Sequence, residues 1–324
     1  MNNRDRFINK KDRIRAAASK AGSLLEKCVI CPRKCGANRL DGKRGYCRAG
    51  LNPRVYSFSP HRGEEPVLSG VKGSGTIFFS YCSMKCAYCQ NYNFSQLDKG
   101  EDVTIGRLSE MMLYLQRVGC HNINLVSPTH YVPQIVLALS KAFDGGLTIP
   151  VVYNTSGYEL VETLRYLEGI VDIYLPDMRY TDNVSAKRYS DAVQYADHNR
   201  IAVREMHRQV GDLVIDKHGI AQRGLIIRLL VLPHELSGTK ESLRYIAENI
   251  SERAFLSIMS QYYPTYKADK FSELSAGIST TEYNDVIEEA KGLNLTNGWV
   301  QDGPIELDPL FFGPNIKPQR PVGE

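Results

Sequence analysis

Six short apolar segments that alternate with helical patterns constrain the fold of this chain most strongly. In chain order the segments are TIFFS (76–80), NINLV (122–126), PVVYNT (150–155), DIYLPD (172–177), LIIRLLVL (225–232) and FLSIMS (255–260). Continuous apolar runs of this length are typical of strands that are buried on both faces of a parallel sheet. The patterns between and after them predict helices over 104–118, 131–143, 158–168, 239–250 and 280–292. The alternation predicts an α/β fold, and six units suit a partial, open (β/α)6 barrel better than a closed barrel.

The stretches outside this alternation predict a chain of three parts. Residues 11–27 carry strong helix formers and predict one surface helix, whereas residues 28–75 are rich in Gly, Pro, Arg and Asn and lack a periodic stretch. We therefore expect an irregular N-terminal segment that a bound metal organises. A small hairpin is predicted at 214–224, before the fifth strand. The three predicted parts are the N-terminal metal-binding segment, the barrel and a proline-punctuated tail, over residues 1–75, 76–302 and 303–324.

Composition and charge exclude several classes of protein. The chain of 324 residues carries 40 basic and 36 acidic residues, a formal charge of +4, so we do not expect a dedicated nucleic-acid binder. Apolar runs of about 18 residues are lacking, and the start of the chain lacks the apolar stretch of a signal peptide. We therefore expect no membrane association and a cytoplasmic location. In that reducing compartment the eight cysteines are expected to be ligands, redox groups or core thiols rather than disulfides.

The spacing CxxxCxxC places Cys82, Cys86 and Cys89 directly after the first predicted strand. In a parallel α/β barrel this is the edge of the sheet where active sites are built. Three thiolates on one short loop can bind three irons of a [4Fe-4S] cubane and leave the fourth iron open to a substrate. The alternatives are part of a zinc site or three unrelated core thiols, although zinc takes four ligands, or three with an open position.

A second group of cysteines lies earlier in the chain. Cys28, Cys31, Cys35 and Cys47 follow the spacing CxxCxxxC, then eleven residues, then the fourth cysteine. Four thiolates complete a coordination sphere, so this site should be closed. Structural zinc and an auxiliary [4Fe-4S] cluster both fit the pattern. Cys120 belongs to neither group and is expected to be a buried core thiol.

The stretch GEEPVLSGVKGSGTIFFSYCSMKCAYCQNYNFS (63–95) resembles radical S-adenosylmethionine (AdoMet, SAM) proteins, in particular homologues of pyruvate formate-lyase activating enzyme, which are related to the glycyl-radical activases. The resemblance extends from the first cysteine group to IMSQYYP (258–264). It implies a radical SAM barrel in which Cys82, Cys86 and Cys89 hold a [4Fe-4S] cluster that binds AdoMet. Reductive cleavage of AdoMet gives methionine and a 5′-deoxyadenosyl radical, which abstracts hydrogen from a substrate.

Polar residues at the ends of the predicted strands are the candidates for binding AdoMet. Where related activases carry a Gly-Gly-Glu motif, this chain departs from the pattern and reads VSPTH (126–130). NTSG (154–157) and LPDMR (175–179) are similar to the Asp-Thr-Asn-Gly and Leu-Asp-Leu-Lys stretches of the activases. Tyr88 could lie near adenine or pack the loop, and Asp177 with Arg179 could bind ligand or form an ion pair. The matching positions and Tyr88 give eight candidates: Tyr88, Ser127, Thr129, His130, Asn154, Ser156, Asp177 and Arg179.

Two further motifs flank the barrel. Gln261 and Tyr263, in SQYYP (260–264), end the sixth strand, where a substrate would enter. HRGEEP (61–66) precedes the first strand; its His61, Glu64 and Glu65 could approach the active site, but a turn with solvated charges is the preferred interpretation.

The resemblance implies an oxidoreductase that acts as an activase, taking hydrogen from a glycine of a partner glycyl-radical enzyme. Radical modification of a small molecule, peptide or other macromolecule is the second hypothesis, and a non-catalytic iron-sulfur or zinc protein is the third. The radical enzymes need a reducing partner such as flavodoxin or ferredoxin. Basic residues around the first cysteine group could dock that acidic partner or offset thiolate charge: Arg33, Lys34, Arg39, Lys43, Arg44 and Arg48.

Overall fold

The strands form one open sheet whose central part is parallel. The computed structural model describes residues 3–301 and 319–322, with side chains from residue 9 to residue 301 and at residue 322. In chain order the strands are β1 (Arg54–His61), β2 (Ser74–Phe79), β3 (Glu101–Asp102), β4 (Ile123–Val126), β5 (Val151–Thr155), β6 (Ile173–Pro176), β7 (Val214–Ile215), β8 (Ala221–Leu230), β9 (Phe255–Met259), β10 (Gly298–Gln301) and β11 (Gln319–Pro321).

The helices lie mainly between the parallel strands. In chain order they are α1 (Asn3–Ala18), α2 (Ala21–Glu26), α3 (Pro66–Ser69), α4 (Tyr92–Ser95), α5 (Ile105–Arg117), α6 (Val132–Asp144), α7 (Val161–Tyr166), α8 (Asn183–Ser190), α9 (Tyr195–Val210), α10 (Thr239–Asn249) and α11 (Thr280–Gly292). Capping side chains set several helix starts: Thr104 accepts from Arg107 at α5, and Ser279 forms a capping box with Glu282 at α11. No described helix is long and apolar enough to cross a membrane. The cytoplasmic location stays a prediction.

The parallel strands follow one another around the sheet in chain order. All six predicted strands are present as β2, β4, β5, β6, β8 and β9, each parallel to the next. Because parallel crossovers are right-handed, successive strands added on one side put the connecting helices on one face and curl the sheet, as in a partial barrel. The two ends of the parallel run meet antiparallel strands, β1 next to β2 and β11 next to β10, so the sheet is open in the part of the chain described.

Three features differ from the sequence predictions. β10 runs parallel to β9, so the described sheet has seven parallel strands and the count of six is not confirmed. The irregular segment predicted over 28–75 contains β1 and α3, because the short alternating run RVYSFSPH is an edge-type strand that pairs with β2. The helix predicted at 11–27 is divided into α1 and α2. Most of the predicted tail lies outside the described residues, and β11 is the part that is seen.

The helix α3 fills the inside of the curled sheet. Leu68 is fully buried, and Val67 and Leu68 pack against inward-facing residues of three parallel strands, among them Val152, Leu175 and Ile226. The Asn122 amide donates to the Leu68 carbonyl at 2.9 Å. With α3 below, the space inside the sheet remains open towards the carboxyl ends of the strands.

Candidate active site

The loop after β2 carries the cysteine triplet to the carboxyl edge of the sheet. Tyr81 turns the chain with a φ of 72°, and its N–H donates to the Phe94 carbonyl at 3.0 Å. Further along the loop the Lys85 and Ala87 N–H groups donate to the carbonyls of Ser190 and Tyr189, at 2.9 and 2.8 Å. The loop is therefore fixed against the end of α8 by backbone bonds.

A cavity of about 60 Å³, here called the smaller cavity, lies beneath this loop. All three cysteines of the triplet line it, together with polar residues from the ends of β4, β5 and β6. The structure thus brings the cysteines together with five of the eight candidates: Ser127, Asn154, Ser156, Asp177 and Arg179. Strand-end positions that are far apart in sequence meet because the parallel strands end at the same edge.

A second cavity, the larger cavity, has a volume of about 260 Å³. It adjoins the smaller one, since Cys89, Asn154, Asp177 and Arg179 line both. Tyr88 and Gln261 also line the larger cavity, whereas Tyr263 is half-buried and is not part of either lining. The remaining wall includes residues that the sequence did not suggest as functional, above all Arg228.

Asp177 is the centre of a buried ion network between the two cavities. Its Oδ2 accepts from Arg179 Nε at 3.0 Å and Nη2 at 2.7 Å, and its Oδ1 accepts from Arg228 Nε at 2.9 Å. Burial alone would raise the pKa of Asp177, but the two guanidiniums hold it below its ordinary value. The predicted ion pair between Asp177 and Arg179 is present, and Arg228 adds a second cation.

The thiols of the triplet lie close enough together to influence one another's ionisation. Burial and the neighbouring thiol of Cys86 raise the pKa of Cys82, and the same causes raise that of Cys89 to about 12. Arg179 Nη1 lies 3.5 Å from Cys86 Sγ, and its charge opposes these shifts. Mutually repelling, buried thiols beside a cation fit a group that deprotonates them by binding, as a metal does.

The described residues contain no group of three or more His, Cys, Asp or Glu side chains arranged to hold a metal ion.

Tyr88 packs in the core of the loop and also reaches the larger cavity. Its ring packs edge-on against Tyr262 with centroids 5.7 Å apart, and its hydroxyl donates to the Tyr180 hydroxyl at 2.7 Å. One part of the side chain nevertheless lines the larger cavity. Tyr88 is thus held rigidly at the cavity wall.

Thr129 and His130 lie outside both cavities. Thr129 Oγ1 donates to Glu159 Oε1 at 2.5 Å in the core, and His130 Nε2 donates to the Ser80 carbonyl at 2.8 Å. Burial lowers the pKa of His130 to about 3. The chain turns at Ser127, which has a φ of 56°, and the short helical turn after it directs the next side chains into the core. Of the VSPTH candidates only Ser127 reaches the site.

Sequence reasoning missed Arg228 and preferred the wrong interpretation for Glu64 and Glu65. The interpretation of HRGEEP as a turn with solvated charges is wrong for both glutamates: the Glu64 side chain is 8% exposed and Glu65 is 2% exposed. The available signal was Arg228 itself, an arginine within the apolar run LIIRLLVL. A charged residue in a strand buried on both faces needs charged partners, which points to acidic residues nearby.

The structure also gathers the first cysteine group. Arg39 is buried, and its Nη2 lies 3.0 Å from Cys28 Sγ and 3.9 Å from Cys47 Sγ. Burial raises the pKa of Cys31, and the nearby thiols of Cys47 and Cys28 raise it further. A Cβ at Gly45 would lie 2.2 Å from Cys35 Sγ, so the chain leaves room for that sulfur only with glycine there. All eight cysteines are free, and Cys120 is buried in the core as predicted.

Comparisons with known proteins include one relative and two distant solved structures. No protein-family model matches the chain. Uncharacterized protein MJ0674 of Methanocaldococcus jannaschii is 30% identical over 285 residues, which cover 85% of this chain and 77% of the relative. A radical SAM methyltransferase from Sphaerobacter thermophilus has a TM-score of 0.48 at 12% identity and covers 70% of this chain and 67% of its own. HydG, a maturase of the [FeFe]-hydrogenase, has a TM-score of 0.47 at 14% identity; the match covers 66% of this chain and 48% of HydG. Likenesses this remote identify no reaction.

The position of His130 predicts how stability depends on pH. The unfolded chain takes up a proton near the ordinary histidine pKa of 6.5, whereas folded His130 stays neutral down to about pH 3. The free energy of unfolding therefore falls as pH falls below 6.5, because of this group.

Between pH 7 and pH 5 we expect the free energy of unfolding of His130→Gln, which keeps an N–H donor, to fall less than that of the wild type. The difference between the two decreases should be up to about 2 kcal/mol. Urea unfolding at each pH measures this. His218→Gln, at an exposed position, should follow the wild-type curve, and equal losses in all three proteins would contradict the assignment.

Proposed function

This chain belongs to the same protein family as Uncharacterized protein MJ0674 of Methanocaldococcus jannaschii, and we propose that it is a radical SAM enzyme. The observation that carries the proposal is the smaller cavity, in which Cys82, Cys86 and Cys89 share one wall with strand-end polar residues. In this proposal the triplet holds a [4Fe-4S] cluster and the two adjoining cavities receive AdoMet and a substrate. When bound, the cluster supplies the electron that cleaves AdoMet to methionine and a hydrogen-abstracting 5′-deoxyadenosyl radical.

The residues of the smaller cavity suit the polar end of AdoMet. Two of the three Arg179 donor groups are bound to Asp177, and Nη1 contacts Cys86 Sγ at 3.5 Å, which leaves its second N–H to donate to a carboxylate. Asn154 and Ser156 add an amide and a hydroxyl at the ends of the same strands. Because Asp177 fixes the guanidinium before a ligand arrives, little ordering is needed on binding. The enclosing wall also keeps water away from a reactive species.

Replacing the triplet cysteines should abolish AdoMet cleavage. The experiment is anaerobic: the protein is reconstituted with iron and sulfide, reduced with dithionite, given AdoMet, and 5′-deoxyadenosine is quantified. We expect production in the wild type, loss to background in the Cys82/Cys86/Cys89 triple alanine variant, and production in Cys120→Ala, which removes a thiol of neither group. Retained turnover in Cys86→Ala would contradict the proposal.

For the first cysteine group we propose a second metal, either structural zinc or an auxiliary [4Fe-4S] cluster. The support is the buried Arg39, whose guanidinium lies on the sulfurs of Cys28 and Cys47. A buried cation between two sulfurs offsets the negative charge that thiolate ligation creates. Burial in the same segment raises the pKa of Cys31, so bound metal is needed to keep that sulfur deprotonated.

Metal analysis of Cys47→Ala tests that second site. We expect the variant to lose the zinc, or about four irons per chain, that the wild type holds beyond its first cluster, and to keep the irons of the triplet. Iron and zinc are counted together with the visible absorption of the cluster. Equal loss of both metals would show that the two sites are not separate.

We also propose that a reducing partner such as flavodoxin or ferredoxin docks near the first cysteine group. Not all of its basic residues are available: Arg33 Nε donates to the Ser83 carbonyl at 3.0 Å, and Arg39 is buried. Lys34 and Lys43 are exposed and carry the docking proposal. Reversing both charges, in Lys34→Glu with Lys43→Glu, should raise the KM for reduced flavodoxin severalfold while dithionite-driven cleavage stays unchanged. An unchanged KM for flavodoxin would exclude docking at this surface.

Two substrate classes remain within the proposed function. The resemblance to the activases implies a glycine of a glycyl-radical enzyme, for which a glycine-centred radical in electron paramagnetic resonance is the test. The larger cavity, with its buried charged wall, favours radical modification of a small molecule or a peptide side chain.

A further inference from the structure

The segment 61–65 brings two carboxyl groups into the larger cavity. Glu64 and Glu65 both line it, just before α3 enters the inside of the sheet. Glu65 is 2% exposed, and its Oε2 has no hydrogen-bond partner among the described residues. A buried, unpartnered carboxylate oxygen is costly for a protein, so its presence at a cavity wall calls for an explanation.

The charges that face the larger cavity do not balance. Its lining contains three carboxyl groups, Glu64, Glu65 and Asp177, and two guanidinium groups, Arg179 and Arg228. Both guanidiniums are hydrogen-bonded to Asp177. When all three carboxyl groups are ionised, they carry one negative charge more than the two guanidiniums, and burial lowers the pKa of the nearby His61, so its neutral ring does not offset that charge.

Arg228 pairs with Glu64 but makes no hydrogen bond to it: its Nη1 forms an ion pair with Glu64 Oε2 at 3.7 Å, which is longer than a hydrogen bond. Glu65 Oε2 has no hydrogen-bond partner among the described residues. Burial, and then the negative charge of Glu65, raise the pKa of Glu64 to about 7 although Asn124 and Arg228 oppose the shift. The pair is thus short of a donor cation, and a cation placed between the two side chains would relieve the repulsion between them.

The rest of the larger cavity is different in character. Phe78, Val126, Leu230 and Met259 supply apolar surface, and Cys89 lies on the side that adjoins the smaller cavity. A ligand that fits this lining has a cationic head at the glutamates and an apolar body that extends towards the cysteine triplet.

The ammonium group of AdoMet is not the occupant that this geometry favours. In the proposed function that ammonium group belongs with the triplet, in the smaller cavity. Glu64 and Glu65 line the larger cavity alone, whereas Cys82 and Cys86 line only the smaller one. The two glutamates are therefore left for a second molecule.

We infer that Glu64 and Glu65 together bind the cationic head, a primary amine or a guanidinium, of the molecule that this enzyme modifies. That the bound molecule is modified rests on the proposed function, but the binding of the cation does not depend on AdoMet cleavage. It names the substrate class as an amine or guanidine on an apolar chain, whether free or as the side chain of a peptide.

The test compares two probes of equal shape on the reconstituted protein. Butylguanidine carries the cation and butylurea is its neutral counterpart, and ligand-observed NMR titration gives the affinity of each. We expect butylguanidine to bind at least about tenfold more tightly, since hydrogen bonds that involve a charged group are stronger than those between neutral groups. Equal affinities, or no binding of butylguanidine, would overturn the inference without need of any variant.

Variants then locate the binding. Glu65→Gln keeps the shape of the side chain and should weaken butylguanidine about tenfold while leaving butylurea unchanged. The matched control is Glu110→Gln, whose side chain is 66% exposed on α5, and it should bind as the wild type does. Undiminished affinity in Glu65→Gln would show that the cation binds elsewhere and would overturn the inference.

Assaying 5′-deoxyadenosine in the same preparations separates the two proposals. Cleavage of AdoMet without selective binding of butylguanidine would contradict the cation site and leave the proposed radical function in place. Selective, Glu65-dependent binding without cleavage would leave the cation site in place and count against the radical function.

Discussion

The site depends on one buried interaction, in which the carboxylate of Asp177 contacts the guanidiniums of Arg179 and Arg228. Asp177 ends β6, Arg228 lies in the neighbouring β8, and a bridge between their backbones holds the two strands in register. Removing one partner of such a network leaves a buried charge unpaired, which costs about 3–5 kcal/mol. The network also divides the space above α3 into a cavity at the cysteines and a cavity at the glutamates.

A second buried arginine links the N-terminal segment to the barrel. Arg39 Nη1 donates to the His130 carbonyl at 2.5 Å, while Nη2 lies at Cys28 and Cys47. His130 in turn donates to the Ser80 carbonyl, two residues before Cys82. A continuous run of polar contacts therefore joins the first cysteine group to the base of the triplet loop.

The parallel strands and both cysteine groups could be predicted from sequence because each is a local signal. A strand buried on both faces must be apolar, and cysteines that share a metal in a loop must be close in sequence. β10 was not predicted because GWVQ is short and only half apolar. β1 was not predicted because its alternating pattern lies among Gly and Pro residues. Such strands are stabilised by the neighbour that they pair with, which a local pattern does not contain.

The strand-end candidates show where positional reasoning stops. Asn154, Ser156, Asp177 and Arg179 line the cavity and lie within the last residues of their strands or up to three residues beyond them. Thr129 and His130 follow β4 almost as closely, but a positive φ at Ser127 turns them into the core. Glu64 and Glu65 come from before the first parallel strand, and only the entry of α3 into the barrel brings them to the site.

The central claim is that Cys82, Cys86 and Cys89 hold a cluster with an iron open to AdoMet. Electron-nuclear double resonance on the reduced protein, with AdoMet carrying ¹⁵N at its amino group, tests it most directly. The account predicts a ¹⁵N coupling to the reduced cluster that Cys86→Ala removes. A fully formed, reduced cluster at the triplet that shows no coupling to bound AdoMet would contradict it.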